Sequence, residues 1–222
     1  MARETFIRDA NLLAPVCDAR GPDGEMLAFW RSAVRFSLRG SGWIGKVATS
    51  VDDHLADSVP HWIAEAIDAA NRIGPLAAAS DVITTVIRAD DRSERVACFL
   101  ADVVLAKSLG WDYPMPLTAH HLKKAMLRDL RDGKTGSEII VQDAITKGAQ
   151  TAYQLARTLA WRAEVLNAVA PKLRTRGSKD AVALFLREDA VAPASMLSPR
   201  IHGTNTPMTG RAARRLCDRL VE

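Results

Sequence analysis

Cysteines and aromatic residues are scarce in this sequence. Its 222 residues include three cysteines, at positions 17, 98 and 217, and aromatic residues make up 5%. An odd and sparse set of cysteines without a CxxC pair excludes a disulfide framework, a zinc ribbon and a thioredoxin-type site. The same pattern is typical of a reducing compartment, so we expect a cytoplasmic protein.

Long apolar runs are also missing. No stretch free of Asp, Glu, Lys and Arg exceeds ten residues, whereas a membrane-spanning helix needs about 20 apolar residues. Residues 1–9 contain acidic side chains and lack the apolar segment of a secretory signal. We therefore expect no membrane partner.

The composition is that of a folded globular protein. Hydrophobic residues make up 48% and charged residues 25% of the chain, which excludes a chain that is disordered throughout. The length is enough for one large or two small domains with a real core.

Apolar residues recur with the 3.6-residue period of amphipathic helices. This spacing predicts helices over residues 23–39, 58–73, 96–109 and 137–170. Residues 82–87 are β-branched throughout, which is compatible with a strand. Because no second strand is available to pair with them, we predict helix there too. The predicted fold class is all-α, with a multi-helix, bundle-like body.

The apolar stripes of these helices predict the core. We expect seven residues to be mostly buried: Trp62, Ile63, Phe99, Leu100, Val103, Leu155 and Leu159. The longest helix would span about 50 Å, and we predict a bend or a break at Gly148 within it.

Positive charge is concentrated in the last quarter of the chain. Residues 172–222 contain ten basic and five acidic residues, whereas residues 1–171 carry one net negative charge. A basic, turn-rich stretch begins at Lys172, directly after the longest predicted helix. We therefore predict a helical body over residues 1–171 and a basic linker with a small module over residues 172–222.

The small module has the pattern of a helix-turn-helix. Short helices are predicted over residues 179–189, 195–201 and 210–222, with Thr209 capping the third. That helix would place Ala213, Leu216 and Leu220 against the first of the three. Four arginines would remain on its open face as candidate nucleic-acid-binding residues: Arg211, Arg214, Arg215 and Arg219. Such a layout favours DNA as the partner.

Several segments of the chain are distinctive: APKLR at 170–174, LFLRED at 184–189, RAARRLCDRL at 211–220, and GW at 110–111 with PMPL at 114–117. They resemble an uncharacterised bacterial family, known as domain of unknown function 1403, whose members are often found on plasmids of alphaproteobacteria. The resemblance covers most of the chain and is most specific at its end. The family has no established activity, so the resemblance implies no catalytic residue.

The final segment is also similar to the start of a winged-helix module. Such a module continues with a β-hairpin that braces the helices and touches DNA. Here the sequence ends at Glu222, directly after Leu220 and Val221. We therefore expect the wing to be missing from this chain or cut off.

The motifs of common enzymes and cofactor sites are not found. The sequence contains no GxSxG, HExxH or GxGxxG motif. Its adjacent histidines, His120 and His121, have no further ligand one helical turn away, so a metal site is not predicted there. We predict no cofactor and favour a non-enzymatic role. Two hypotheses remain: a DNA-binding or regulatory protein, or a helical interaction module whose basic end binds an acidic protein. Neither specifies an oligomeric state.

Overall fold

The computed structural model describes residues 21–51, 53–173, 177–187 and 209–221, and these residues form helices without a strand. The helices are α1 (Gly21–Ala33), α2 (Trp43–Ala48), α3 (Asp53–Ala56), α4 (Val59–Ile73), α5 (Pro75–Ala89), α6 (Glu94–Ser108), α7 (Lys124–Arg131), α8 (Ser137–Val169), α9 (Ser178–Arg187) and α10 (Gly210–Val221). A 3₁₀ turn at Ala170–Lys172 follows α8. The predicted all-α fold class is confirmed, and residues 82–87 are helical within α5.

The chain divides into two compact units. The body unit is Met26–Tyr153, and the tail unit combines Gln154–Glu222 with Met1–Glu25. The division therefore falls inside α8. The domain boundary predicted after residue 171 stays a prediction.

Helix α6 is the centre of the body unit. Every residue from 96 to 106 is buried, as expected for a helix that is apolar on all sides. Helices α4 and α5 pack against it, and α5 also packs against α7. The ring of Phe99 on α6 meets the ring of Phe29 on α1 edge to face, with 5.3 Å between their centroids.

The predicted core is right for five residues and wrong for two. Trp62, Ile63, Phe99, Leu100 and Val103 are buried. Leu155 and Leu159 are 52% and 53% exposed, although they continue the stripe that is buried at Val141 and Ile145. The spacing identified the apolar face of α8 correctly. Spacing does not show, however, how far along the helix other segments cover that face.

Helix α1 is shorter than predicted. It ends at Ala33, whereas the apolar spacing continues to residue 39. The reason is a tertiary contact, because the backbone N–H of Leu38 donates to the carbonyl of Asp112 at 2.8 Å. The Arg39 guanidinium also pairs with the Asp112 carboxylate. These contacts draw residues 36–39 out of the helix and bury Leu38 against the loop that follows α6.

The buried carboxyl of Asp102 on α6 holds that loop, which comprises residues 109–123. Its Oδ1 accepts hydrogen bonds from the backbone N–H groups of Leu117 and Thr118, each at 3.2 Å. Its Oδ2 lies 3.2 Å from the hydroxyl of Thr118. Leu117 and Thr118 are themselves buried, so Asp102 satisfies two backbone donors that water cannot reach.

Burial changes the titration of Asp102. The hydroxyl of Thr118 donates to Oδ2 of Asp102 at 3.2 Å and also lies 3.0 Å from the carbonyl oxygen of Cys98, so two acceptors share its proton. Burial, opposed by the three hydrogen bonds that the carboxyl accepts, raises the pKa of Asp102 well above its usual range. The neutral form of Asp102 therefore persists to higher pH than that of an exposed aspartate.

Gly148 on α8 lies against the backbone of the same loop. A Cβ at this position would lie 2.2 Å from the carbonyl oxygen of Leu117 and 2.9 Å from its Cα. Helix α8 is continuous through Gly148, so of the predicted bend or break the break is wrong, and the bend stays a prediction. The glycine provides space for a close backbone approach instead.

We expect Asp102→Asn to keep the free energy of unfolding within about 1 kcal/mol of the wild type at acidic pH, because the amide reproduces the bonds of the protonated carboxyl. Asp102→Ala should lower it by about 2–6 kcal/mol, since two buried N–H groups lose their acceptor. Urea denaturation of both variants measures the difference. Equal losses in the two variants would contradict the assigned hydrogen bonds.

The same pair tests the pKa of Asp102. The folded state keeps its proton above about pH 4, where the unfolded state releases it. The wild type should therefore lose stability as the pH rises from about 4 towards the folded-state pKa of Asp102. The Asp102→Asn side chain does not titrate, so the stability of this variant should rise relative to the wild type over the same pH range. A constant difference across pH would show that Asp102 is ionised when folded.

We expect Gly148→Ala to lower the free energy of unfolding by about 1–3 kcal/mol, because the methyl group would overlap the Leu117 backbone. Gly45→Ala is the matched control. Gly45 also lies within a helix, but an added Cβ there meets nothing within 4 Å, so the control should gain up to about 1 kcal/mol. Urea denaturation compares the two. A stabilised Gly148→Ala protein would disprove the close approach.

Candidate functional site

The last helix of the tail unit packs on α9 through a small apolar cluster. Ala213 and Leu216 of α10 are buried against Ala181 and Leu184 of α9. Phe185 and Cys217 pack at the edge of this cluster. The predicted packing of Ala213 and Leu216 on the preceding helix is therefore confirmed, whereas the side chain of Leu220 lies outside the described residues.

The start of α10 is fixed by Thr209, as the sequence predicts. Its hydroxyl accepts a hydrogen bond from the backbone N–H of Ala212 at 3.2 Å. Its carbonyl accepts one from the N–H of Ala213 at 2.9 Å. This N-cap satisfies donors that the first turn of a helix leaves unpaired.

The four candidate arginines lie on the side of α10 that faces away from the cluster. All four are exposed: Arg211, Arg214, Arg215 and Arg219. Within the described part of the chain, no hydrogen bond or ion pair engages their guanidinium groups. Asp218 is exposed on the same side of the helix. The face thus carries four positive charges and one negative charge, all open to water.

The remaining part of the predicted module is not described by the structure. The short helix predicted over residues 195–201 falls outside the described residues, as does the end of the first predicted helix after Arg187. Helices α9 and α10 are therefore the two elements of the module that the structure places. They supply the helix that bears the arginines and the surface on which it rests.

A second candidate site is a groove in the body unit, between α7 and the turn that joins α5 to α6. Its volume is about 360 Å³. Eight residues line it: Ile87, Asp91, Arg92, Glu94, Lys124, Leu127, Arg128 and Arg131. Four of these are basic and two are acidic, so the lining carries two net positive charges.

Helix α7 provides most of the positive charge in the groove. Lys124, Arg128 and Arg131 are spaced by four and three residues and therefore share one side of the helix. Leu127 and Leu130 are buried beneath them. On the neighbouring helix, the side chain of Arg88 donates to the carbonyl of Arg131 at 3.1 Å, which ties the end of α7 to α5.

The fourth cation, Arg92, comes from the turn between α5 and α6. Asp90 shapes this turn, because its carboxylate accepts hydrogen bonds from the Arg92 N–H at 3.0 Å and the Ser93 hydroxyl at 2.5 Å. His54 Nε2 lies 2.9 Å from the same carboxylate. The hydrogen bond from His54, with those from Ser93 and Arg92, holds the pKa of Asp90 well below its usual range.

The charges within the groove are only loosely paired. Lys124 lies 3.8 Å from Glu94, and Arg131 lies 3.8 Å from Asp91. Arg131 is also 3.1 Å from Asp132 at the end of α7. The side chains of Arg92 and Arg128 make no hydrogen bond or ion pair with any described residue. Two guanidinium groups are thus available to a ligand.

The sequence contains a signal for part of this groove, but none for the whole of it. Basic residues at positions 124, 128 and 131 have the spacing of one helical face, directly after the loop at 109–123. Arg92 lies more than thirty residues earlier, and no spacing rule relates it to them. Its place beside α7 follows from the packing of α5 on α7 alone.

Metal-ligating side chains are not clustered in the described part of the chain. No group of three or more His, Cys, Asp or Glu side chains there is placed to hold a metal ion. Burial raises the pKa of the Cys98 thiol to about 12, so Cys98 is not an activated nucleophile. None of the helices in the described ranges has the length and apolar character needed to cross a membrane.

Comparison with known proteins identifies the family. No curated protein and no solved structure matches the chain. A family model described as "Protein of unknown function (DUF1403)" matches residues 1–222, which is the entire chain. The match confirms the resemblance seen in the sequence, and the chain belongs to the DUF1403 family.

Proposed function

We propose that this protein binds DNA through the arginine face of α10, the exposed side that carries Arg211, Arg214, Arg215 and Arg219. The observation that supports the proposal is that four exposed guanidinium groups on one helix make no ion pair or hydrogen bond with the described residues. Unpaired guanidinium groups bind phosphate oxygens through parallel hydrogen bonds. Neutralising phosphates in this way supplies most of the affinity of a protein for duplex DNA.

The dimensions of α10 suit this role. Its 12 residues form a helix about 18 Å long. The major groove of DNA is about 12 Å wide, which is enough to admit a single α-helix. The cluster of Ala213 and Leu216 with α9 holds the opposite side of the helix, which leaves the arginines turned outwards. In the groove these side chains would contact phosphates or the edge of guanine.

Replacing Arg214 and Arg215 together by alanine should weaken the binding of duplex DNA by the full chain. The dependence of log K on log salt should flatten by about two phosphate contacts. Exposed arginines contribute little to stability, so the melting temperature should stay the same. Fluorescence anisotropy with a labelled duplex, repeated at several salt concentrations, measures both effects.

The matched control is the double variant Arg35→Ala, Arg72→Ala. It removes the same charge from exposed positions of the body unit and should leave the affinity and the salt slope nearly unchanged. If both double variants weaken binding equally, the effect reflects net charge and not the α10 face. Absence of duplex binding by the wild type at about 50 mM salt would reject the DNA proposal.

An acidic protein partner is the second candidate function. One observation favours it, because the tail unit also exposes large apolar side chains on α8, among them Leu155, Leu159 and Trp161. Tryptophan and arginine are both enriched where proteins bind one another. Under this alternative, poly-glutamate should bind the wild type and lose affinity in the Arg214→Ala, Arg215→Ala variant, and an excess of duplex DNA should fail to displace it.

A further inference from the structure

The groove of the body unit has the features of a binding site that is separate from the arginine face of α10. It is concave, and its volume of about 360 Å³ lies at the lower end of the range for sites that bind small molecules. Its lining is mainly charged, with an apolar part formed by Ile87 and Leu127. A ligand for this groove must therefore be small and charged.

The sign and number of charges specify the ligand further. Four basic side chains and two carboxylates line the groove, so the lining carries two net positive charges. Asp132, outside the lining, pairs with Arg131, whereas Arg92 and Arg128 have no such partner among the described residues. A phosphate monoester carries between one and a half and two negative charges at neutral pH, as known for phosphorylated side chains. Guanidinium groups match the geometry of phosphate oxygens, and Arg92 and Arg128 make no pair with described residues that a ligand would have to break.

The backbone segments that carry Arg92 and Arg128 are fixed before a ligand arrives. The Asp90 carboxylate sets the turn from which Arg92 projects. Helix α7, which bears Arg128, begins directly after the loop that Asp102 holds through Leu117 and Thr118. Fixing these backbones in advance lowers the entropy cost of binding.

We propose that this groove binds a small phosphate monoester that also carries hydroxyl groups, such as a sugar phosphate. Arg92 and Arg128 bind the phosphate oxygens, and Lys124 and Arg131 add positive charge on either side. Glu94 and Asp91 form ion pairs with Lys124 and Arg131 at 3.8 Å. A carboxylate has about four acceptor sites, so each can also accept a hydrogen bond from a hydroxyl group of the ligand.

Isothermal titration of the full chain with ribose 5-phosphate tests the proposal. Ionic strength is kept constant with sodium chloride, and inorganic phosphate and ribose are titrated in parallel. We expect ribose 5-phosphate to bind more tightly than inorganic phosphate, because its hydroxyl groups add contacts with Asp91 and Glu94. Ribose, which lacks the phosphate, should not bind measurably.

Arg92→Gln and Arg128→Gln should each weaken the binding of ribose 5-phosphate about tenfold or more, since each removes a charged hydrogen-bond donor. Arg72→Gln is the matched control, because Arg72 is an exposed helical arginine outside the groove. It should bind as the wild type does. Unchanged melting temperatures would verify that the groove variants are folded.

Three results would overturn the proposal: equal weakening in the control and the groove variants, unchanged binding in both groove variants, or binding of ribose as tight as that of ribose 5-phosphate. Displacement of ribose 5-phosphate by short duplex DNA in the Arg214→Ala, Arg215→Ala protein would assign the groove to DNA instead. Because that protein lacks two arginines of α10, the titration also separates failure of this proposal from failure of the DNA proposal.

Discussion

The body unit depends on one buried carboxyl group. Asp102 on α6 accepts hydrogen bonds from the backbone N–H groups of Leu117 and Thr118. The backbone of Leu117 also lies against Gly148 on α8. The loop is thus held from two sides, by hydrogen bonds on one and by close contact on the other. Because α7 follows this loop directly, the positions of Lys124, Arg128 and Arg131 depend on the same group. The buried polar residue fixes the geometry of this loop more specifically than apolar packing alone would.

Two basic surfaces of different shape lie on the two units. The α10 surface is an exposed face of a single helix, and it carries four cations and one acid. The groove is concave, and it combines cations from α7 and from the turn before α6 with two carboxylates. An open face suits an extended polyanion, because many phosphates can be neutralised along it. A small concavity with both signs of charge suits a compact anion with hydroxyl groups. Both surfaces are basic, but their different shapes therefore suit different ligands.

Amphipathic spacing was a reliable guide to helices and to the face that each helix buries. It located the stripes of α4 and α6 and the packing of Ala213 and Leu216. The helical state of residues 82–87 was predicted instead from the lack of a second strand to pair with them. The spacing was wrong at Leu155 and Leu159, which lie on the apolar side of α8 but are half exposed. It also extended α1 beyond Ala33. In both cases the 3.6-residue period describes one helix by itself. Whether a face is buried and where a helix ends depend on contacts with other segments.

The sequence by itself determined the all-α class, the family, the boundaries of α4, α6, α8 and α10 to within two residues, and the arginine face of α10. It did not predict α2, α3 or α7. Each of the structural features that it did determine follows from local rules, because period, capping and charge spacing act within one helix. Only the tertiary structure decided that Asp102 is buried and has a raised pKa, that Gly148 lies against the backbone of another segment, and that Arg92 joins Lys124, Arg128 and Arg131 around one groove. These features join residues more than ten positions apart in the chain. Their chemistry arises from proximity and exclusion of water, and neither is encoded in the spacing of a single segment.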